Sequence, residues 1–217
     1  MTDRPILFSA PMVLALLEGR KTQTRRMLKP QPYVVQEQDG VRWWNLAGRP
    51  GGTIVMGDSA LLRAHRKPAV GDRLWVRETW APSEFVTGDG SRFFYRADAD
   101  EDGTVPYLVS GTPSGGGVGN ARIDRWRVSI HMPRPASRIT LTVTDVRAQR
   151  LQEITEEDAR AEGARAAYGE PFATDSGLTD RRRFQLLWDT LHGPGAWDAN
   201  PHVVALTFTV AQRNIDA

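Results

Sequence analysis

Two short segments, far apart in the chain, carry the side chains with the clearest chemical potential. Residues 19–26, "GRKTQTRR", combine two hydroxyl groups with four basic side chains, and residues 155–163, "TEEDARAEG", supply carboxylates. A hydroxyl oxygen is a weak nucleophile unless a base within hydrogen-bond reach accepts its proton. Lysine is such a base only when its pKa falls from about 10.4 toward about 7–8, and nearby cations or partial burial lower it. The basic segment can therefore activate a hydroxyl, although a solvated loop or a phosphate-binding surface has the same composition.

Other common kinds of active site are not predicted. The chain has no cysteine, and its four histidines lack the spacing of a metal motif: His65, His131, His192 and His202. "GRKT" is not a phosphate-binding loop, because Arg20 separates the glycine from the lysine and the upstream glycine is missing. The glycine run at 115–119 follows no predicted strand, and no GxSxG sequence occurs. We expect neither a metal nor a cofactor.

Composition places the chain among ordinary globular proteins. It has 217 residues, of which 40% are hydrophobic and 25% charged, so it can bury a core without disulfides. The absence of cysteine fits a reducing compartment, and we expect a cytoplasmic location. No apolar run approaches the roughly 20 residues of a membrane span, so no membrane contact is expected.

Charge is segregated along the chain, although the net charge is only +2. Residues 19–36 contain five basic side chains and no acid, and residues 122–138 contain five arginines and one aspartate. Acidic residues gather at 98–102 and 153–162. This distribution is compatible with an anionic ligand, a nucleotide or a nucleic acid, and equally with solvated charged faces.

Local signals place the basic segment after a helix. A short strand at 6–8 leads to Ser9, a good N-cap, with Pro11 in the first turn of the helix and Gly19 as its stop. The next residues are predicted to turn and then to become extended. Residues 34–68 are weakly patterned and predict a hairpin-rich excursion, and "VGDRLWVRETW" predicts a strand.

The C-terminal half predicts the acidic helix and more strands. The longest alternating strand begins at Arg138, Thr155 caps the acidic helix and Gly163 ends it, a helix spans 180–191, and a last strand spans 202–210. Residues 83–122, which include "SGTPSGGGVGN", are predicted to be a flexible insertion. Strands outnumber helices without regular alternation, so we predict an α+β fold over residues 1–217, a single domain built on a small mixed β-barrel with peripheral helices.

Three segments in this order carry a family resemblance: "ILFSAPMVLALLEGRKTQTRR", "VGDRLWVRETW" and "ASRITLTVTDVRAQRLQEITEEDARAEG". They resemble the ASCH domain family, a branch of the PUA-like β-barrels, and the added segments are similar to longer members found in phages. The resemblance implies a PUA-like barrel. The family includes proposed RNA-binding modules, a reported ribonuclease and small amidohydrolases that deacylate acetylcytidine.

In those amidohydrolases a lysine, a threonine three residues later and a glutamate in the helix after the long strand form the catalytic set. Matched to this chain, the resemblance implies Lys21, Thr24 and Glu162. In a strand, residues 21 and 24 would face opposite sides, so their pairing requires a turn at Lys21. Pro135 stands in a segment where longer relatives tend to carry an aromatic residue, which implies a different substrate preference.

Two classes of function stay open. As an enzyme, the chain would use Thr24 to attack an amide carbonyl, while Glu162 either orients Lys21 or protonates the leaving amine. As a binding module, the same basic region would hold RNA, single-stranded nucleic acid or modified DNA; a ribonuclease ranks lower without paired histidines or a metal site. Phe8 or Trp75 would hold the base, and arginines would contact phosphates. The substrate-binding candidates are Phe8, Ser9, Arg20, Arg26, Trp75, Arg77, Glu78, His131 and Arg134.

Overall fold

The computed structural model describes residues 1–38, 41–46, 55–83, 92–109, 117–164 and 177–217. This part of the chain has a mixed α+β fold. Its strands are β1 (Asp3–Leu7), β2 (Gln23–Met27), β3 (Pro32–Gln38), β4 (Val41–Leu46), β5 (Val55–Met56), β6 (Arg73–Arg77), β7 (Trp80–Pro82), β8 (Phe93–Tyr95), β9 (Thr104–Val109), β10 (Gly117–Arg122), β11 (Thr140–Arg150) and β12 (His202–Ala211). Its α-helices are α1 (Ala10–Leu17), α2 (Asp58–Ala64), α3 (Glu156–Ala161) and α4 (Asp180–His192).

The main sheet has five strands in the order β1-β6-β11-β12-β2. Strands β1 and β6 are parallel, and the other neighbours are antiparallel. Among the described strands no ladder joins β1 to β2, so the sheet is open and the expected barrel is not confirmed. A side chain bridges the two edges instead, because Arg26 on β2 donates a hydrogen bond of 2.6 Å to the carbonyl oxygen of Leu7 on β1.

Strand β12 is buried on both faces, which explains its nearly continuous apolar sequence. On one face Val204, Leu206 and Phe208 belong to the main core, which also includes residues of α1 and β6. On the other face Val203 packs in a second cluster with Phe184 of α4 and neighbouring apolar residues. The strand therefore separates the two apolar layers and fixes the position of its neighbour β2.

The predicted helix boundaries are confirmed. Ser9 is the N-cap of α1, and Gly19 adopts a φ of 71° just beyond its end. The Thr155 hydroxyl accepts a hydrogen bond of 3.1 Å from the amide of Asp158 and so caps α3, while Gly163 has a φ of 73°. None of the helices in the described ranges is long and apolar enough to cross a membrane.

Helix α2 was not predicted, since its seven residues lie inside the segment predicted to be rich in hairpins. That segment does contain the predicted antiparallel pairing, in the form of the β3–β4 hairpin. Two turns are too short to give a clear helical period, and α2 is stabilised by tertiary burial of Leu61 and Leu62. Packing against the core therefore determines this helix more than its local sequence does.

The segment predicted as a flexible insertion includes regular structure. Strands β9 and β10 form an antiparallel hairpin, and Phe94 and Val105 pack in a small apolar cluster with Ala81 and neighbouring residues. Most of the glycine-rich stretch, residues 110–116, and residues 84–91 lie outside the described residues. Flexibility of the insertion, and tolerance of shortening at residues 111–120, stay predictions.

Candidate active site

A fully buried ammonium group lies at the centre of the site. Lys21 is 0% exposed, and its Nζ donates to the carbonyl oxygens of Gln23 at 2.9 Å and Glu162 at 2.7 Å. It also donates to Oε2 of the Glu162 carboxylate at 3.0 Å. These three acceptors match the three N–H groups of a protonated lysine. Without them a buried ammonium would cost several kcal/mol, so Lys21 is held as part of an ion pair and not as a solvated loop residue.

The turn between α1 and β2 brings Lys21 to Glu162. The amides of Arg20 and Lys21 both donate to the carbonyl oxygen of Ala15 at 2.9 Å, and β2 begins only at Gln23. Gly163 permits a close approach, since a Cβ at this position would lie 3.3 Å from Cβ of Lys21. The chain turns between α1 and β2 as predicted. Within the described chain the side chains of Lys21 and Thr24 form no hydrogen bond with each other, so their pairing stays a prediction.

Arg25 makes the ion pair a network. Its guanidinium donates to Oε1 of Glu162 at 3.1 Å and to Oδ2 of Asp158 at 2.6 Å. Two cations thus share the Glu162 carboxylate, and the second carboxylate, on Asp158, balances the extra charge. Asp158 and Glu162 are four residues apart, so they lie on the same face of the helical turn that ends at Glu162.

Burial and neighbouring charges shift the protonation of the network. Burial lowers the pKa of the Lys21 ammonium, and Arg26 and Arg25 lower it further, while Glu162 opposes them. For Asp158, burial raises the pKa, but the hydrogen bond from Gln23 and the charge of Arg25 outweigh it, so the pKa lies below its ordinary value. Lys21 therefore loses a proton more readily than a solvated lysine, and Asp158 stays ionised at neutral pH.

Thr24 and Glu162 line one small cavity of about 70 Å³. Helix α4 forms the opposite wall with Phe184, Leu187, Trp188, Leu191 and His192, and Met12, Arg25, Arg26 and Met27 complete the lining. Thr24 is only 4% exposed, and its hydroxyl has no hydrogen-bond partner within the described ranges. The cavity has room for one or two water molecules, since a water occupies about 30 Å³ in the liquid.

Two more polar groups of the cavity lining are without partners. Nε1 of Trp188 and Nε of Arg25 are buried and donate no hydrogen bond to any described residue. An unpaired buried N–H costs about 1–3 kcal/mol, so a ligand that offers acceptors would recover this free energy. Both nitrogen atoms belong to residues that line the cavity, and both are themselves buried.

Two of the predicted substrate-binding residues, Phe8 and Arg26, lie beside this network. The Phe8 ring has Lys21 Nζ at 5.5 Å and the Arg26 guanidinium carbon at 5.3 Å from its centroid. Ser9 is exposed, and Arg20 forms an ion pair with Glu18. Arg20 also lines a different cavity, beside Gly163.

The structure does not bring Trp75, Arg77 or Arg134 to the cavity. Trp75 lies on the opposite face of β6 from the core residue Leu74, and the Arg77 guanidinium covers its ring at 4.5 Å. Arg134 forms ion pairs with Asp3 at 2.7 Å and Asp216 at 2.5 Å. These arginines are therefore committed to contacts within the protein, and the prediction that they hold phosphates beside Thr24 has no support from their placement.

Glu78 and His131 also lie away from the cavity. Glu78 is 1% exposed and accepts two hydrogen bonds, of 3.0 and 3.1 Å, from Arg138. Burial raises the pKa of Glu78, and the Arg138 charge opposes that shift. Arg138 also binds Asp98, so this pair fastens the insertion to the sheet. His131 is exposed and lines a separate groove of about 840 Å³.

Sequence reasoning missed Arg25 and Asp158 as members of the network, and it missed the α4 wall of the cavity, including Trp188 and His192. The spacing of Asp158 and Glu162 was the available signal for a cationic partner on β2. Trp188 and His192 are likewise four residues apart on α4, and their rings lie 4.2 Å apart. Burial, with the charges of Lys29 and Arg26, lowers the pKa of His192, which is therefore neutral at pH 7.

Comparisons with protein-family models, with curated proteins and with solved structures found no match to this chain. Within the described ranges, no group of three or more histidine, aspartate or glutamate side chains is arranged to hold a metal ion. The site itself contains a buried amine, a carboxylate, a hydroxyl and two buried N–H groups.

Glu162→Gln should destabilise the protein by about 3–5 kcal/mol, because it leaves the buried Lys21 ammonium without a carboxylate and Arg25 with only Asp158. The double variant Lys21→Met with Glu162→Gln should be more stable than Glu162→Gln alone, since it removes the uncompensated cation. Urea unfolding of the single and double variants measures the coupling. The matched control is Glu157→Gln, on an exposed position of α3. Additive free energies in the cycle would contradict the network.

Proposed function

We propose that this chain is an amidohydrolase that works without a metal ion and removes the acyl group from the exocyclic nitrogen of an acylated cytidine-type nucleobase or nucleoside. The observation that carries the proposal is the buried contact between Lys21 and Glu162, 141 residues apart, next to a cavity lined by Thr24. The resemblance to the ASCH family supports the same three residues and a PUA-like fold for the open sheet. This chain contains no cysteine, which supports a reducing compartment, and we propose that it is located in the cytoplasm.

The reaction begins with the proton between Lys21 and Glu162. Transfer of one ammonium proton to Oε2 of Glu162 gives a neutral amine and a carboxylic acid, and burial of Lys21 favours the neutral amine. The Thr24 oxygen then attacks the acyl carbon, and Lys21 accepts the hydroxyl proton. Collapse of the tetrahedral intermediate breaks the C–N bond, and the exocyclic nitrogen leaves with the proton of Glu162.

The second half of the reaction regenerates Thr24. Lys21 again passes a proton to Glu162, and a water molecule attacks the acyl-threonine ester while Lys21 accepts its proton. Collapse releases the carboxylic acid, and the Thr24 oxygen takes the proton from Glu162. The free N–H groups of Trp188 and Arg25 are suited to stabilise the oxyanion in both halves, a contribution of about 2.7–4 kcal/mol per donor in other hydrolases.

Substrate entry requires movement of the cavity wall. A cavity of about 70 Å³ is smaller than a nucleobase, so side chains on the α4 wall must shift when a nucleoside binds. Leu191 is the best placed of these to move, since it is 56% exposed. Binding is therefore expected to order or displace the C-terminal turn of α4.

A nucleic-acid binding module is the second candidate, for RNA, single-stranded nucleic acid or modified DNA. The groove lined by His131 also holds Arg122, Arg125 and Arg127, and these arginines have no carboxylate within 4 Å among the described residues. Trp126 lines the same groove and is half-buried. Free cations beside an aromatic ring are typical of single-strand binding surfaces.

Thr24→Ala should abolish release of cytidine from acetylcytidine, because it removes the nucleophile. Thr22→Ala is the matched control, since Thr22 has the same side chain and does not line the cavity. Trp188→Phe should lower kcat by about 100-fold with little change in KM, because it removes one oxyanion donor. Product formation is followed by chromatography, with melting curves to verify folding, and should persist in EDTA. Turnover by Thr24→Ala near the wild-type rate would reject the nucleophile.

The same samples distinguish the second candidate. A nucleic-acid binding module would show no turnover on any acylated nucleoside, and its affinity for single-stranded RNA would fall with salt by a slope of about −0.7 per phosphate contact. Arg125→Gln should weaken that binding and leave hydrolysis unchanged. Salt-dependent RNA binding without turnover would favour the binding module over the enzyme.

The dependence of kcat/KM on pH should show a falling limb. In the proposed mechanism Lys21 and Glu162 share one proton that the leaving amine finally takes, so activity decreases as pH rises through the Lys21 pKa and that proton is lost. Burial lowers this pKa below the ordinary value of 10.5, so the limb should lie below pH 10.5. Lys21→Arg should be inactive at every pH, because guanidinium stays protonated. An active Lys21→Arg variant with an unchanged limb would assign the base elsewhere.

A further inference from the structure

A second cavity of about 390 Å³ opens at the gap between the edges of β1 and β2. We call it the seam pocket. Its floor and walls are mostly apolar, and its opening carries basic side chains. The lining residues are Arg4, Pro5, Ile6, Arg26, Arg66, Lys67, Pro68, Leu74, Val204 and Leu206. The volume lies within the range of about 300–1,000 Å³ that small-molecule sites occupy.

The seam pocket has four cations and no acidic residue in its lining. Within the described chain, Arg26, Arg66 and Lys67 have no carboxylate within 4 Å. Arg4 has only Asp72, at 3.7 Å, and that carboxylate already accepts hydrogen bonds from two backbone amides. Nε of Arg4 is buried and donates no hydrogen bond to any described residue. Among the described residues, Asp72 is therefore the one carboxylate that lies within 4 Å of these four cations.

Arg66 lies at a backbone position that is unfavourable for a residue with a side chain. Arg66 has a φ of 53°, in the left-handed region where glycine is favoured. The amide of Lys67 donates to the carbonyl oxygen of Leu62, and that of Arg66 to the carbonyl oxygen of Arg63, so α2 ends in a Schellman motif. Glycine is the usual residue at this position, and an arginine there is strained. A cationic side chain therefore occupies a position where glycine, which has no side chain, would be more stable.

The cations also crowd one another. Partial burial lowers the pKa of the Lys67 ammonium, and the charge of Arg26 lowers it further. Arg4 donates a hydrogen bond of 2.7 Å to the carbonyl oxygen of Arg66 and so holds the strained residue at the pocket. An anion bound among these groups would offset their mutual repulsion and accept from the free N–H of Arg4.

We propose that the seam pocket binds a small phosphomonoester whose remaining part is apolar or aromatic, of the size of a nucleoside monophosphate. The phosphate dianion matches the unbalanced cations, and Ile6, Leu74, Val204 and Leu206 match the apolar part. Neither the acylated nucleoside of the proposed hydrolysis nor its products carry a phosphate group, so this ligand is additional to that function. The inference depends on the seam pocket alone and stands whether or not the chain hydrolyses amides.

Titration calorimetry of the full chain tests the ligand class with four probes at one ionic strength: cytidine monophosphate, cytidine, inorganic phosphate and a tetranucleotide without a terminal phosphate. Cytidine monophosphate should bind at least about tenfold more tightly than either cytidine or inorganic phosphate, because only it engages both the cations and the apolar floor. Equal affinity for cytidine monophosphate and either fragment would overturn the proposal. Tighter binding of the tetranucleotide would overturn it in favour of a polymer.

Variants place the binding in the seam pocket. Lys67→Met and Arg66→Gly should each weaken cytidine monophosphate binding by about tenfold or more. Arg66→Gly should also keep or raise the melting temperature, since glycine relieves the left-handed strain. The charge-matched control is Arg63→Met, on an exposed residue of α2 outside the pocket, and should change affinity little. Unchanged affinity in both test variants, or an equal loss in Arg63→Met, would overturn the site.

Failure of this inference is distinguishable from failure of the proposed function, since binding is measured with a ligand that is not hydrolysed. Thr24→Ala should bind cytidine monophosphate like the wild type. Binding of cytidine monophosphate without deacylation of acetylcytidine would support the seam pocket and overturn the proposed amidohydrolase. Deacylation of acetylcytidine without binding of cytidine monophosphate would support the amidohydrolase and overturn the seam pocket.

Discussion

The charge of Lys21 constrains more of the structure than any other single group. A buried ammonium must have acceptors, and here they come from three places: the start of β2, the backbone at the end of α3 and the carboxylate of Glu162. Gly163 must lack a side chain for α3 to approach, and α1 must end in a turn that returns the chain at once. A buried ion pair adds little to stability over apolar packing. The presence of such a pair beside the cavity that Thr24 lines supports the proposal that it serves chemistry.

Strand β12 connects this network to the seam pocket. Its residues Val204 and Leu206 lie directly opposite Arg26 and Thr24 in the antiparallel ladder, and both line the seam pocket. Residues opposite each other share a face of the sheet, so the candidate nucleophile stands next to the wall of the second cavity. Arg26 lines both cavities. A ligand in the seam pocket would thus contact the strand that positions Thr24.

Local rules predicted helices α1, α3 and α4, whereas long-range pairing determined which side chains meet at the site. Caps and stops at Ser9, Thr155 and Gly163 follow from short-range hydrogen bonding and left-handed backbone, and the structure has them where the sequence indicates. The partners of Arg134 and Glu78 are 131 and 60 residues away in the chain, and no local pattern contains that information. The same reason applies to Arg25, whose role depends on a helix that begins 131 residues later at Glu156. Whether the sheet closes into a barrel also depends on strand pairing that composition does not specify.

The arginines fall into two groups, those that pair with carboxylates and those that do not. The number of basic residues in a segment of the sequence does not distinguish the two groups. Arg25, Arg134 and Arg138 each satisfy two carboxylates and are held by the fold. Arg26 and Arg66 pair with no carboxylate in the described chain, and one lies over an aromatic ring while the other occupies strained backbone. Exposed ion pairs contribute little stability, whereas unpaired cations crowded around a cavity cost free energy until an anion arrives. The pattern of pairing, and not the number of basic residues in a segment, therefore supports the proposal that the seam pocket binds an anion.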